Sequence, residues 1–130
     1  MKIIFVVASR LTESEFETNS ALAKSLAVYQ SDNIEIALYA ENKFGLSTVY
    51  NDATEYPGSP DDIFIFCHDD IYILDFYWID QLIAGLEKFD VVGLAGNKRR
   101  INNQPSWLFS DISFKNIDHS ALSGIVAHGK

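Results

Sequence analysis

The chain has 130 residues, of which 48% are hydrophobic and 22% charged, with a formal net charge of −8. This composition is typical of a folded globular protein rather than a disordered one, and the length predicts a single domain over residues 1–130. The acidic balance argues against nucleic acid as a partner, because nonspecific nucleic-acid binding depends on lysine and arginine side chains that neutralise phosphates.

The sequence also predicts where the protein resides. No apolar segment has the length of a membrane-spanning helix, so no membrane span is expected. The apolar run at 3–8 is shorter than a signal-peptide core and no cleavage-like site follows it, which favours a cytoplasmic protein. Cys67 is the only cysteine, which excludes an internal disulfide, and its apolar neighbours predict a packed thiol.

The first half of the chain alternates between predicted strands and predicted helices. Thr12 or Ser14 can cap a helix whose apolar residues recur at helical spacing to about Gln30. Alternating or continuous apolar residues indicate strands before and after it. We predict strands at 2–8 and 33–40, and helices at 12–30 and 46–55.

The most informative segment is 61–70, with the sequence DDIFIFCHDD. Its apolar centre, 63–67, is typical of a strand buried on both faces, and His68, Asp69 and Asp70 follow where the strand should leave the sheet. In open α/β sheets, ligands bind beyond the carboxyl ends of strands. Carboxylates suit hard divalent cations, and an imidazole extends the choice to manganese or another transition metal. The alternative is a solvated strand end, since acidic residues are a common way for a buried strand to finish in water.

The second half continues the alternation. We predict a helix at 75–89, a buried strand at 91–95, a basic loop at 98–105, and short strands at 107–110 and 121–127. The whole pattern predicts an α/β fold with a mostly parallel sheet and helices on both faces. Right-handed crossovers would then bring the polar strand ends to one edge of the sheet. Those strand ends are Ser9, Glu41, Asn42, His68, Asp69, Asp70, Gly96 and Asn97.

Three separated motifs resemble a known family. They are Tyr50-Asn51, His68-Asp69-Asp70-Ile71, and VVGLAG at 91–96, and their order and spacing resemble those of family-2-like GT-A glycosyltransferases over about 47–100. The resemblance implies a GT-A-like, Rossmann-like fold. It also implies transfer of a sugar from a nucleotide-diphosphate sugar to an acceptor whose identity is unknown.

The resemblance assigns roles to the acidic motif. In such enzymes the motif holds a divalent cation, usually manganese or magnesium, on the donor diphosphate. Asp70 would be a metal ligand, His68 would take the first place of the motif, and Asp69 would face sugar or ribose hydroxyls. Many glycosyltransferases have aspartate at the first place, so His68 leaves the identity of the metal open.

Other residues match the family by position alone. Ser9 and Glu41 correspond to the places where the first two strands meet the nucleotide base, and Asn51 would lie on the donor side or else serve as a helix-face or capping asparagine. The basic run of Lys98, Arg99 and Arg100 could face phosphate or an acidic acceptor, or form a solvated loop.

Three further residues have both a functional and a structural interpretation. Trp107 could be an acceptor platform, although aromatic residues more often pack in a core. His119 and His128 could be late metal ligands, although a lone histidine is usually structural or simply exposed.

The chain departs from the family in length. Related enzymes continue beyond the position of Lys130 with a segment that supplies the acceptor pocket and, in inverting members, a carboxylate base. The acids after Arg100 are Asp111 and Asp118, and neither is a convincing base, so no catalytic base is identified. The chain is therefore expected to be a donor-binding half, a minimal variant, or a relic without chemistry.

Two other functions are alternatives to glycosyl transfer. The first is a noncatalytic binding or interaction module on a truncated GT-A fold. The second is a phospho-acceptor or phosphatase-like domain, which is disfavoured because such sites place an aspartate after the first strand, where this chain has Ser9. Phe109 and Phe114 could supply an apolar contact surface for a homo-oligomer.

Overall fold

The computed structural model describes residues 1–29, 31–55, 58–104 and 106–123. The chain forms two compact units, Met1–Trp78 and Ile79–Lys130. The first contains a three-stranded sheet and the second a two-stranded sheet. The prediction of one domain over residues 1–130 stays a prediction. No helix of the described residues is both long enough and apolar enough to cross a membrane.

The sheet of the first unit is parallel. Its strands are β1 (Ile3–Ala8), β2 (Ile34–Tyr39) and β3 (Ile63–Cys67), in the order β2-β1-β3. Strand β1 is hydrogen-bonded to both neighbours, so Phe5 lies beside Ile36 on one side and Ile65 on the other. The three strands predicted for this half of the chain are therefore confirmed, as is a mixed α/β fold with a parallel sheet and helices.

The core of the first unit is built around β1. On one face of the sheet, Val6 packs against Val49 and Ala53 of helix α3 (Leu46–Thr54), which confirms the helix predicted at 46–55. Successive side chains of a strand point to opposite faces, so Phe5 lies on the other face. There its ring is 5.7 Å from the ring of Trp78, in an edge-to-face arrangement. Both faces of β1 are thus covered, which explains its continuous apolar sequence.

The single helix predicted at 12–30 is wrong, because the segment forms two helices. They are α1 (Glu13–Asn19) and α2 (Ala21–Leu26), while Gln30 lies outside the described residues. Ser20 separates them in an extended conformation. Its N–H donates to the Phe16 carbonyl 3.0 Å away, and its hydroxyl accepts from the Ala23 N–H at 2.9 Å. One residue therefore ends α1 and caps α2. The predicted cap at Thr12 is confirmed by a capping box with Glu15.

The second unit differs more from the predictions. Helix α4 (Trp78–Leu86) begins at the last residue of the first unit and is shorter than the helix predicted at 75–89. The buried strand predicted at 91–95 is wrong, since these residues join no sheet and the side chains of Val91 and Leu94 are 86% and 91% exposed. A strand needs a ladder partner as well as an apolar sequence, and this segment has none among the described residues.

The strands of the second unit are only two residues long. Strand β4 (Gly96–Asn97) pairs antiparallel with β5 (Leu122–Ser123). The prediction placed Gly96 and Asn97 after a strand of the parallel sheet, at the same edge as the other polar strand ends. They instead form a strand of the separate antiparallel sheet. The strand predicted at 107–110 is also wrong, because these residues form bends and irregular structure with no strand. For the strand predicted at 121–127, only 122–123 is strand within the described residues, and 124–127 lies outside them.

Candidate functional site

A cleft lies at the carboxyl ends of β1 and β3 in the first unit. It has a volume of about 980 Å³, and Ser9 and Asp69 line it from the ends of these two strands. Because β1 and β3 are parallel neighbours, the residues that follow them lie at the same edge of the sheet. The cleft formed here, which we call the strand-end cleft, is where the sequence predicted a ligand site.

A hydrogen bond joins the two strand ends. The Ser9 hydroxyl donates to Oδ2 of Asp69 and accepts from the N–H of Leu11, which is 3.1 Å away. Ser9 is buried, with 2% of its surface exposed. On the other side, the Leu22 N–H in the first turn of α2 donates to the backbone carbonyl of Asp69 at 3.2 Å. Both the side chain and the backbone of Asp69 are therefore held in place.

The other two residues of the acidic motif are open to solvent. His68 and Asp70 are exposed and line the strand-end cleft. Neither side chain has a hydrogen-bond or ion-pair partner in the part of the chain that the structure describes. Asp70 is therefore the carboxylate of the motif whose oxygens remain available to a ligand.

Two cationic side chains line the same cleft. Arg10 follows β1 and Lys43 follows β2, and both are exposed. Within the described residues, neither forms an ion pair, whereas Lys2 of the same unit pairs with Glu35. The cleft thus combines two carboxylates with two cations. Sequence reasoning missed Arg10 and Lys43, although they lie two and three residues beyond the strands predicted at 2–8 and 33–40.

The loop after β2 has a fixed conformation. The Asn42 N–H donates to the Ser9 carbonyl at 2.8 Å, and the Asn42 side chain bonds the N–H and carbonyl of Phe44 at 3.1 and 2.8 Å. Glu41 adopts φ 48°, and its N–H donates to the Leu11 carbonyl at 2.9 Å. The result is that Asn42 and Lys43 line the cleft whereas Glu41 does not.

Asn51 also lies apart from the cleft lining. It is an exposed residue in α3, and its backbone carbonyl accepts a hydrogen bond from the Thr54 hydroxyl at 2.7 Å. The structure therefore brings Ser9, His68, Asp69 and Asp70 of the predicted site residues to one cleft. The donor-binding roles of Glu41 and Asn51 stay predictions.

The protein groups near Asp70 cannot enclose a metal ion by themselves. Among the described residues, no group of three or more His, Cys, Asp or Glu side chains is placed to hold one. Magnesium, however, is often bound by one or two carboxylates together with substrate phosphates and water. Asp70 would supply the carboxylate of that second mode, so a cation here would need oxygens from a phosphate-bearing ligand, and the His68 imidazole would suit a transition metal better than magnesium.

The basic run and the late histidine predicted as candidates lie in the second unit. The Arg99 guanidinium pairs with the Asp118 carboxylate at 3.3 Å, while Arg100 and Trp107 line a separate cleft. His119 is exposed in a single turn of 3-10 helix (His119–Ala121), and His128 lies outside the described residues. A role of either histidine as a metal ligand stays a prediction.

Cys67 is the last residue of β3, directly before His68, and its thiol is buried. Burial raises the pKa of its thiol to about 11, and the nearby Asp69 carboxylate adds to the rise. The packed thiol predicted from the sequence is confirmed, since Cys67 is free and buried.

We expect the Cys67 thiol to make the fold sensitive to alkali. The folded protein disfavours the thiolate, so the contribution of this thiol to stability is complete below the unfolded pKa of about 8.5. It is then lost as the pH rises toward the folded value of about 11. Urea denaturation at pH 8 and pH 10.5 should show a larger loss of unfolding free energy for the wild type than for Cys67→Ala. Burial also raises the pKa of Tyr50, but that residue is common to both proteins. Equal losses in the two proteins would contradict the assignment.

Comparisons with protein-family models, with curated proteins and with solved structures found no match for this chain.

Proposed function

We propose that the strand-end cleft binds a nucleotide-diphosphate sugar together with a divalent cation, manganese or magnesium, and that the protein is a GT-A-type glycosyltransferase domain acting on an acceptor not yet known. The observation that carries the proposal is the hydrogen bond from Ser9 to Asp69 across two parallel strand ends, in a cleft that also contains Asp70, Arg10 and Lys43. Such an edge is where α/β sheets bind phosphate-bearing ligands.

The two carboxylates have different surroundings and therefore suit different roles. Asp69 is held by Ser9 and by the Leu22 N–H, so it is placed to accept hydrogen bonds from ribose or sugar hydroxyls at a fixed position. Asp70 is exposed and unpartnered within the described residues, which suits a carboxylate that binds a cation on the diphosphate. The cation would neutralise negative charge on the departing nucleoside diphosphate.

Arg10 and Lys43 complete the charge balance of the proposed site. A nucleoside diphosphate is an anion, and in a chain with net charge −8 it would be repelled by most of the surface. Two cations in the lining, without partners in the described part of the chain, would offset the negative charge of Asp69 and Asp70. A cleft with both signs of charge fits a diphosphate and a cation bound together better than it fits either alone.

A second candidate function is donor binding without sugar transfer. Asp69 and Asp70 are the two carboxylates in the described lining of the cleft, and the proposal assigns both. No carboxylate of that lining remains to deprotonate an acceptor hydroxyl, as an inverting enzyme requires. This observation favours a binding module on the same fold as the alternative.

Calorimetric titration of uridine, guanosine and thymidine diphosphates, with and without manganese, tests the proposal. We expect one nucleotide to bind the wild type in a manganese-dependent manner and to bind Asp70→Asn at least about tenfold more weakly, a loss of one strong ligand. Asp61→Asn is the matched control, because Asp61 is an exposed aspartate that precedes β3. It should bind as the wild type does.

The proposal of a donor site would be overturned if none of the three nucleotides bound the wild type. It would also be overturned if binding were equal with and without manganese in the wild type, Asp70→Asn and Asp61→Asn. If binding occurs as expected, the rate at which nucleoside diphosphate is released from the corresponding nucleotide sugar is measured next. This rate distinguishes the glycosyltransferase from the binding module. Turnover that is lost in Asp70→Asn supports the transferase, and tight binding without turnover supports the binding module.

A further inference from the structure

We propose that the second unit carries its own saccharide-binding cleft, which recognises a sugar bearing a carboxylate. The cleft has a volume of about 760 Å³ and is lined by residues of β4 and of the loop that follows it. This volume lies in the range of small-molecule sites, roughly 300–1,000 Å³. The inference is independent of the proposed nucleotide site, because it concerns different residues and a different ligand.

Two amide side chains fix the shape of this cleft. Asn97 donates from Nδ2 to the Trp107 carbonyl at 3.0 Å and accepts the Arg99 N–H at 2.9 Å. Gln104 donates from Nε2 to the Phe109 carbonyl at 2.9 Å. These amides thus tie β4 and the loop after it to the backbone carbonyls of Trp107 and Phe109. They hold the backbone on both sides of the cleft without a ligand.

Ser106 also serves the fold, since its hydroxyl accepts from the Leu108 N–H at 3.4 Å, but four other polar groups of the lining do not. Arg100, Asn102, Asn103 and the indole N–H of Trp107 have no side-chain hydrogen bond or ion pair within the described residues, and the first three are exposed. Asn103 adopts φ 58°, a left-handed conformation that asparagine tolerates better than most residues. The cleft therefore contains two kinds of polar group. Asn97 and Gln104 are hydrogen-bonded within the protein and shape the cleft, whereas the groups without a partner in the described residues can bind a ligand.

The chemistry of these groups selects the ligand class. An amide both donates and accepts hydrogen bonds, as a sugar hydroxyl does, so Asn102 and Asn103 suit a polyhydroxylated molecule. Trp107 lines the same cleft and combines an apolar ring with a polar N–H, which suits the apolar and hydroxyl-bearing parts of a pyranose. The sugar class follows from this combination of two amides with one aromatic ring.

The Arg100 side chain indicates that the sugar bound in this cleft carries a carboxylate. Its planar guanidinium can bind a carboxylate through two parallel hydrogen bonds. The neighbouring Arg99 is already paired with Asp118 at 3.3 Å, and Lys98 is absent from the cleft lining. Arg100 is thus the member of the basic run that the cleft presents to a ligand, and a uronic acid is the expected sugar type.

The test uses the two tryptophans of the chain, Trp78 and Trp107, which give two indole N–H signals in a proton–nitrogen correlation spectrum. Methyl β-glucuronide is titrated without nucleotide or metal, and methyl β-glucoside serves as the neutral counterpart. We expect the Trp107 signal, assigned with Trp107→Phe, to shift saturably with the glucuronide while the Trp78 signal stays in place. The glucoside should bind at least about fivefold more weakly, because it lacks the partner of the guanidinium.

A pair of charge variants completes the experiment. Arg100→Gln should bind the glucuronide as weakly as it binds the glucoside, whereas Lys98→Gln, which removes a cation of the same run outside the cleft, should keep the wild-type preference. A Trp107 signal unmoved by either sugar would mean that the cleft is a solvated loop. Equal binding of both sugars by the wild type would overturn the role of Arg100. Because no nucleotide or metal is present, failure here is separate from failure of the proposed donor site.

Discussion

The substitution Phe5→Ala is expected to lower the free energy of unfolding by about 4 kcal/mol, one of the largest effects that a single core truncation produces. Phe5 is 2% exposed and lies in the middle of β1, beside Ile36 of β2 and Ile65 of β3. Its ring contacts Trp78 on the face opposite α3. Alanine would leave a cavity where neither the two flanking strands nor the indole can move in without breaking other contacts.

Phe44→Ala is the matched control for this prediction. Phe44 is 72% exposed, so the same truncation there should change the unfolding free energy by no more than about 0.5 kcal/mol. Urea denaturation of both variants measures the difference directly. A Phe5→Ala variant as stable as Phe44→Ala would mean that β1 is not the centre of the folded first unit.

The first unit could be predicted from the sequence because its strands are buried in a simple way. Strand β1 is covered on both faces, so each of its residues from Ile3 to Val7 is apolar and the pattern has no gap. The helices were harder to delimit. Ser20 occurs within a helical pattern, yet its hydroxyl caps the following turn, and such local side-chain bonds compete with continuation of the helix.

The second unit shows why an apolar run does not by itself specify a strand. The residues 91–95 are apolar like those of β3, yet Val91 and Leu94 are among the most exposed large hydrophobic residues of the described chain. Apolar composition reports the tendency to be buried, whereas a strand also requires a neighbouring backbone at the correct spacing. That requirement depends on long-range topology and is not visible in a local pattern.

The same limit applies to the candidate site. Placing Ser9 and Asp69 at one sheet edge followed from the parallel topology, although the two residues are 60 positions apart. The choice between adjacent loop residues did not follow. Glu41, in a left-handed conformation with φ 48°, is absent from the lining, and Lys43 lines the cleft instead. Loop conformation therefore decides which of two neighbouring charges serves the site.

The hydrogen bond between Ser9 and Asp69 leads to the second large prediction. Ser9→Ala removes a donor to a carboxylate and the acceptor of the Leu11 N–H, so we expect the free energy of unfolding to fall by about 2 kcal/mol. If the strand-end cleft binds a nucleotide diphosphate, the affinity should fall as well, because Asp69 loses the contact that orients it. Ser25→Ala is the control: Ser25 is fully buried, but its hydroxyl donates only to the Leu22 carbonyl in its own helix.

A double-mutant cycle separates this bond from the general cost of losing a buried hydroxyl. Ser9→Ala, Asp69→Asn and the double variant are compared by urea denaturation, and the two substitutions should be non-additive by at least about 1 kcal/mol because their side chains are in direct contact. Additive effects would show that the bond contributes nothing to joining the two strand ends. Non-additive stability with unchanged nucleotide affinity would instead assign the bond to the fold alone, since an oriented Asp69 would then not be needed for binding.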